Sequence, residues 1–292
     1  MERKKKTKGY AGFFYVLPSF AILMLIAIVP IIYTAVLSFS DYDLFGAPEF
    51  IGTENYKELF SDKSFVDAVK NTVIFTAIAV PLQTVIALLL ADVLARTNND
   101  VLSKFVRSVL FIPVVASLVL VGTVWQYMLA SNGGTVNELL DMVGIPPVNF
   151  LGDHTNALIS VSLVSAWKHI GYFLVIYYAG VKEIPHERYE AALVDGAGRF
   201  QQFIHITLPG LRPITFLVVI LGTIWSFQVF DLVYAMTGGG PAGATTTIVI
   251  EIFEQGFQTL RFGYASAIAM VLFAAVALVS IVQQKFYSRL ED

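Results

Sequence analysis

Long apolar runs separated by short polar connections dominate the pattern of hydrophobic and polar positions along this chain. A hydrocarbon core about 30 Å thick requires roughly 20 apolar residues, each adding about 1.5 Å of helix rise. Runs of that length occur at 13–37, 73–94, 106–128, 157–181, 214–236 and 264–286. An open sheet would leave backbone groups unpaired in lipid, so the pattern predicts an all-α membrane protein with six transmembrane helices.

Composition supports the same class and narrows the chemistry. Hydrophobic residues form 56% of the chain and charged residues 14%, with a mean hydropathy of +0.70; soluble domains average about 25% charged residues. The absence of cysteine excludes disulfides, thiolate metal sites and cysteine nucleophiles. The four histidines lack metal-ligand spacing. Neither a catalytic constellation nor a nucleic-acid-binding patch stands out, so a membrane enzyme is disfavoured.

Lys and Arg residues of the connections lie mostly on one side of the predicted helices. The richer side contains Arg3, Lys4, Lys5, Lys6, Lys8, Arg96, Lys104, Arg107, Lys182, Arg188, Arg199, Arg212, Lys285 and Arg289. The other side contains Lys57, Lys63, Lys70 and Arg261. Because cytoplasmic connections carry the excess of these residues, we expect a cytoplasmic basic N-terminus at 1–12, a membrane domain at 13–286 and a cytoplasmic C-terminus at 287–292. The first run is too long for a secretory signal and is predicted to remain as a span.

The connection between the fourth and fifth runs contains the polar segment EAALVDGAGRFQQFIHITLP, from Glu190 to Pro209. Helix-forming residues precede two glycines, Gly196 and Gly198, and a second amphipathic stretch follows them. The pattern predicts two short cytoplasmic helices around a glycine turn, over 186–209. Its alanines allow another surface to approach closely, and its first residue offers a charge to that surface. The alternative is a re-entrant or a merely solvated loop between two spans.

The spacing in this segment resembles the EAA motif of binding-protein-dependent ABC importer permeases: EAA, three residues, glycine, nine residues, then I-x-L-P. The matching positions are Glu190, Ala191, Ala192, Gly196, Ile206, Leu208 and Pro209. In that family the segment is a coupling helix that docks on a cytoplasmic ATPase subunit. The resemblance implies that these residues, with Asp195, contact an ATPase. ATP and magnesium then belong to that partner, and no cofactor is expected on this chain.

Two further phrases resemble the same superfamily. FIGTENYKELF, at 50–60, is similar to the FxGxxNYxxLF phrase of these permeases, and TGGGP, at 237–241, to a tract of their carbohydrate-type members related to the maltose-transporter membrane subunits. Gly238 and Gly243 have the glycine spacing of a phosphate loop, but Ala244 stands where that loop has lysine. We therefore expect no nucleotide site here.

The resemblance implies the six-helix type I ABC importer permease fold in a cell membrane, with a sugar or oligosaccharide as cargo. The implied partners are a second permease subunit in a heterodimer, a cytoplasmic ATPase dimer and an extracytoplasmic solute-binding protein. Lipid surrounds the helices, and no nucleic acid is expected as a partner.

Charged and aromatic residues inside the runs are the candidates for the substrate pathway. Charges within spans are rare and usually face a bundle interior or a cavity; Lys168 and Asp231 are predicted to pair, to line a wet pathway or to contact a second permease. Aromatic faces stack on sugar rings, and amides and carboxylates bond hydroxyls. The full set is Trp167, Lys168, Tyr178, Trp225, Ser226, Phe227, Gln228 and Asp231. The alternative is that the aromatic residues only pack.

Two competing functions stay open from the sequence. An ion-coupled secondary carrier would need an intramembrane acid, for which Asp231 or Asp92 is available. An importer of the same superfamily could instead carry glycerol-3-phosphate, an amino acid or another small solute. A phosphate would call for arginine at the cavity, and the lack of one among the candidates favours a neutral solute.

Overall fold

The computed structural model describes residues 10–97 and 99–291, with side chains over 15–97 and 99–288. Most of the predicted basic N-terminus, and the side chains at the end of the predicted C-terminus, lie outside the described residues. The chain divides into two compact units. One contains the described residues up to Ser61 together with Ile252–Val271, and the other contains Asp62–Glu251 and the described residues from Leu272 onward.

The first unit is built from a long apolar helix, a small antiparallel hairpin and a short amphipathic helix. Its first elements are α1 (Tyr10–Leu23), a π-helical turn (Met24–Ile28), α2 (Val29–Leu37), β1 (Ser40–Asp41), β2 (Glu49–Phe50) and α3 (Glu54–Ser61). In the hairpin, Ser40 is paired with Phe50 and Asp41 with Glu49. This unit also contains a π-helical turn (Glu254–Gln258) and the first residues of the last helix.

Residues of the FIGTENYKELF motif form hydrogen bonds to the backbone and side chain of residues that directly follow α2 in this unit. The Asn55 side-chain amide donates to the carbonyls of Ser38 and Ser40, at 3.0 and 2.9 Å. The Tyr56 hydroxyl lies 2.7 Å from the Ser38 hydroxyl, and Leu59 is fully buried. The phrase therefore satisfies carbonyls that the helix end would leave unpaired.

The second unit contains the remaining helices. They are α4 (Lys63–Ala95), α5 (Asp100–Val115), α6 (Leu118–Met128), α7 (Thr135–Met142), α8 (His154–Glu183), α9 (His186–Val194), α10 (Arg199–Gln202), a π-helical turn (Phe203–Thr207), α11 (Leu208–Gly210), α12 (Arg212–Phe227) and α13 (Asp231–Thr237). Two helices are shared between the units: α14 (Ile248–Phe253) and α15 (Phe262–Glu291). Side-chain caps start α4 and α8, because Asp62 accepts from the Ser64 amide and Asp153 from the Thr155 amide.

Among the residues that the structure describes, four helices are long and apolar enough to cross a membrane: Tyr15–Leu37, Lys63–Ala95, His154–Glu183 and Phe262–Ser288. Two bent helix pairs raise the number to six if each pair is one span. One pair, Asp100–Val115 with Leu118–Met128, is bent by 98°, and the other, Arg199–Gly210 with Arg212–Phe227, by 68°.

The structure differs from the continuous helices predicted for 106–128 and 214–236. The first run breaks at Ala116, whose backbone is extended, because the Ser117 hydroxyl accepts from the Leu120 amide and starts a new helix. The second run stops at Phe227 and resumes in α13 at Asp231. Apolar length alone identified both segments but carried no information on these breaks.

Buried contacts between α4 and α8 form the centre of the second unit. Toward one end, Phe75, Val161 and Leu232 belong to one cluster of buried residues, and toward the other, Ala91 and Phe173 belong to a second. Close packing extends to α5, where a Cβ atom at Gly171 would overlap the carbonyl of Leu110. Small residues of this kind let helix backbones approach closely in membranes.

Candidate translocation cavity and coupling segment

A cavity of about 440 Å³ lies within the second unit, lined by residues of α4, α5, α6, α8, α12 and the connection to α13. Its polar lining consists of Gln83, Ser165, Lys168, His169, Tyr172, Ser226, Gln228 and Asp231. Trp225, Val229 and Phe230 supply apolar surface. Mixed polar and aromatic linings of this size are typical of small-molecule sites.

The break between α12 and α13 lies at the wall of this cavity, where Gln228, Val229 and Phe230 belong to its lining. The amide of Val229 donates to the Ser226 carbonyl, at 3.4 Å, and the Val229 carbonyl accepts from the Thr247 hydroxyl, at 3.0 Å. Irregular backbone at membrane depth is tolerated where it lines a wet cavity. The hydrogen bonds of Val229 therefore satisfy backbone groups at this break in the apolar run.

Lys168 binds the end of α5 and does not pair with Asp231. Its ammonium group donates to the carbonyls of Pro113 and Val114, at 3.2 and 3.3 Å. The break after Val115 leaves these carbonyls without helical partners, and a cation is favourable at a helix C-terminus. No ion pair joins Lys168 to Asp231 in the part of the chain that the structure describes.

Trp225 is the centre of an aromatic cluster beside the cavity. Its ring stacks on that of Phe173 with centroids 5.6 Å apart. The Tyr172 and His169 rings lie 5.2 and 5.4 Å from it. Aromatic rings can stack on the apolar face of a sugar ring, while neighbouring amide and carboxylate groups can hydrogen-bond its hydroxyls.

The cavity brings together five of the eight pathway candidates: Lys168, Trp225, Ser226, Gln228 and Asp231. Phe227, Trp167 and Tyr178 do not line it. Trp167 packs edge-on against Trp125, with centroids 5.4 Å apart, and Tyr178 lies under the guanidinium of Arg107. Trp167 and Tyr178 share a face of α8, but eleven residues of helix separate them by about 16 Å along its axis.

Sequence reasoning missed four polar lining residues, Gln83, Ser165, His169 and Tyr172. A signal existed for Gln83, which is an amide in the middle of a long apolar run and is only 2% exposed. His169 follows Lys168 directly, and its Nδ1 lies 2.8 Å from the Ser165 carbonyl.

Across the described residues, no group of three or more acidic or histidine side chains is placed to hold a metal ion.

The segment predicted to couple to an ATPase folds as two short helical stretches around a glycine turn. Gly196 has φ of +80°, and its amide donates to the Leu193 carbonyl, while the Ala197 amide donates to the Ala192 carbonyl. This is the Schellman arrangement, in which a left-handed residue ends a helix. Glycine adopts that conformation without steric cost, which explains why a glycine occupies position 196.

The exposed surface of this segment combines charged groups with apolar side chains. Glu190, Ala191, Asp195, Gly196 and Leu208 are exposed, and Ala192, Ile206 and Pro209 are half-buried. Val194 is 88% exposed and Phe200 76% exposed. A shallow groove of about 380 Å³ includes Ala192, Asp195, Gly196 and Ile206 in its lining. Apolar groups exposed beside charges are typical of a protein interface.

A hydrogen-bonded network ties this segment to the end of α4. The Arg96 guanidinium donates to Asp92 at 2.8 Å, to the Gln202 side chain at 3.1 Å and to the Thr207 hydroxyl at 3.0 Å. The Tyr189 hydroxyl lies 3.0 Å from that of Thr207. Asp92 is already paired with a cation, which makes it a poor ion site for a secondary carrier.

At the other end of α4, the TGGGPAG loop is bound to the same helix. The Asn71 amide donates to the carbonyls of Gly243 and Thr246, both at 3.0 Å, and the Thr72 hydroxyl accepts from the Ile248 amide at 3.0 Å. The glycines therefore allow the backbone of this loop to form a compact turn, in which Gly239 has a left-handed φ of +89°.

Sequence comparisons cover nearly the whole chain. Residues 58–292 match the family described as "Binding-protein-dependent transport system inner membrane component". The probable ABC transporter permease protein YurN of Bacillus subtilis is 36% identical over 279 residues, which cover 94% of this chain and 95% of the relative. The trehalose/maltose transport system permease protein MalF of Thermococcus litoralis is 33% identical over 283 residues, which cover 96% of this chain and 95% of the relative.

A solved structure has the same fold. It is the crystal structure of a bacterial alginate ABC transporter in complex with alginate pentasaccharide-bound periplasmic protein. One of its chains aligns with a TM-score of 0.86 and 22% identity, covering 99% of this chain and 98% of that chain. The predicted all-α, type I ABC importer permease fold is confirmed. From this fold and the family match over 58–292, the chain belongs to the binding-protein-dependent transport system inner membrane components, the permease subunits of ABC transporters.

Proposed function

We propose that this chain forms, with a second and different permease subunit, the membrane pathway of an ABC importer for a sugar or oligosaccharide. A solute-binding protein delivers the cargo at the outer face, and a cytoplasmic ATPase dimer hydrolyses ATP. Both termini and the segment at 186–209 lie in the cytoplasm, in keeping with the distribution of Lys and Arg. The cavity beside Trp225 is the observation that carries this proposal.

The chemistry of the cavity favours a neutral, hydroxyl-rich solute. Trp225 offers an aromatic face, while Gln228 and Asp231 offer groups that bond hydroxyls. Arginine, which binds phosphate in a bidentate way, is not among the lining residues. The trehalose/maltose function named for the relative from Thermococcus litoralis supports the same class of cargo.

The coupling segment supplies the link to ATP hydrolysis. Moving a two-state pathway from 1:99 to 99:1 requires about 5.5 kcal/mol of bias, and a partner that binds nucleotide can provide it. Closure of the ATPase dimer would move the 186–209 segment, and the Arg96 network would carry that movement to α4. Gln83, on the same helix, lines the cavity.

Replacing Gln228 by alanine should raise the cargo concentration needed for half-maximal transport by about tenfold, since losing a hydrogen bond to the solute costs on the order of 1.4 kcal/mol. The measurement is cargo uptake into proteoliposomes that contain the whole transporter. The matched control is Gln255→Ala, which removes an amide outside the cavity. An unchanged concentration dependence in the Gln228 variant would remove this residue from the pathway.

A thiol placed at Ala192 tests the proposed docking of the ATPase. The natural chain has no cysteine, so Ala192→Cys adds a single reactive group to the half-buried groove. We expect a disulfide with a cysteine engineered into the surface of the partner ATPase, in the assembled transporter and with yield that changes when ATP is added.

The control for that experiment is Ser61→Cys, an exposed position on the side predicted to face outward. It should give no bond to the ATPase. If the Ala192 thiol forms no bond with any of a set of ATPase cysteines in a transporter that hydrolyses ATP, the proposed docking site is wrong.

A further inference from the structure

A second groove, separate from the cavity, lies on the outside of α5 where it packs on α8. It has a volume of about 510 Å³. Lys104 and Arg107 stand at one end of it, and Phe111, Ile112 and Val115 continue along it. Ile112 is 67% exposed and Val115 78% exposed. The groove therefore has a cationic end and an apolar path.

The guanidinium of Arg107 is fixed in place at the cationic end. Its central carbon lies 3.8 Å from the centroid of the Tyr178 ring, and its Nε donates to the Ser103 carbonyl at 3.2 Å. Stacking and this single hydrogen bond hold the guanidinium plane while both terminal nitrogens remain free of a carboxylate. Within the described residues, neither Lys104 nor Arg107 forms an ion pair.

The length of the groove matches one leaflet of a bilayer. Eleven residues separate Lys104 from Val115, which is about 16 Å of helix, and half of a hydrocarbon core is about 15 Å. The helix breaks immediately after Val115. A ligand with a negative charge at one end and a chain about 15 Å long would satisfy both parts of the groove.

We propose that this groove binds an anionic phospholipid of the cytoplasmic leaflet. The phosphate contacts Arg107 and Lys104, the Ser108 hydroxyl lies at the same depth, and an acyl chain lies along Phe111, Ile112 and Val115. A zwitterionic lipid brings its own cation to the headgroup and gains less from two uncompensated positive charges. The assignment of the leaflet rests on the orientation in the proposed function, whereas the binding itself does not.

Native mass spectrometry of the purified, assembled transporter tests this site. Phosphatidylglycerol and phosphatidylcholine with identical acyl chains are added in equal amounts to the detergent solution. We expect the wild type to retain phosphatidylglycerol at least tenfold more than phosphatidylcholine. The double variant Lys104→Gln, Arg107→Gln should lose that preference, whereas Lys285→Gln, which removes an exposed cation elsewhere, should keep it.

A second variant protects the test against simple misfolding. Ile112→Trp fills the apolar path without changing charge, and it should reduce retention of phosphatidylglycerol at least fivefold while ATP hydrolysis by the transporter is maintained. Equal retention of the two lipids by the wild type would overturn the proposal. So would lipid binding by the separate chain that disappears in the assembled transporter, because a partner subunit would then cover the groove. Neither result depends on cargo, so failure here is distinct from failure of the proposed function.

Discussion

Replacing Arg96 by glutamine is expected to lower cargo transport per ATP hydrolysed by at least tenfold. Arg96 holds three side chains at once, on α4 and on the segment that contains the EAA motif. Glutamine is shorter and neutral, so it cannot bridge Asp92 and Thr207 together. Hydrogen bonds to charged groups contribute about 1.5–3 kcal/mol each, and a loss of about 1.4 kcal/mol already corresponds to a factor of ten.

The measurement compares cargo uptake with ATP hydrolysis in the same proteoliposomes. A purely structural role would reduce both rates together, whereas loss of mechanical coupling should leave hydrolysis and reduce uptake. Arg199→Gln is the matched control, because this arginine is exposed and lies in the 186–209 segment that the Arg96 network joins to α4. Wild-type uptake per ATP in the Arg96 variant would contradict the role that we give to the network.

Replacing Gly171 by leucine is expected to prevent the chain from packing into its native structure. Even the Cβ atom would overlap the Leu110 carbonyl, which belongs to the backbone of α5 and cannot rotate away. Overpacking of a close-packed interior costs about 1–3 kcal/mol in typical cases. A contact with backbone belongs at or above the upper end of that range, since a whole helix must shift.

The amount of monodisperse transporter recovered in detergent, and its thermal midpoint, measure this effect. Gly46→Leu is the control, because no heavy atom lies within 4 Å of a Cβ atom at Gly46. Recovery should fall sharply for the Gly171 variant alone. Equal recovery and equal thermal midpoints of the two variants would show that α5 and α8 are not held as closely as described.

The apolar pattern predicted where the helices lie but not where they break. Ser117 and the residues after Phe227 interrupt apolar runs through backbone conformation and capping, which hydropathy does not record. The coupling segment was predicted in more detail because its turn depends on Gly196, and glycine in such a place has a local structural cause. Turns that depend on a local residue such as Gly196 could be predicted from the sequence, whereas changes of direction between apolar helices could not.

The candidate site was predicted in part for a similar reason. Lys168 and Asp231 were singled out as charges inside apolar runs, and both line the cavity. Their predicted pairing did not form, because the break in α5 and α6 presents two free carbonyls to Lys168. Tyr178, another candidate, does not line the cavity and lies under the guanidinium of Arg107. Arg96 had been counted only as a cytoplasmic charge, since two of its partners, Gln202 and Thr207, lie more than a hundred residues away in sequence.

The placement of Pro81 within α4 has a mechanical consequence. Proline gives up one backbone hydrogen bond inside a helix and so creates a point of easy bending, and here that point lies two residues before Gln83. The 33 residues of α4 therefore have one weakened point in their backbone, and it lies beside a residue that lines the cavity. On one side of Pro81, Asp92 joins α4 to the Arg96 network, and on the other side Asn71 binds the glycine loop.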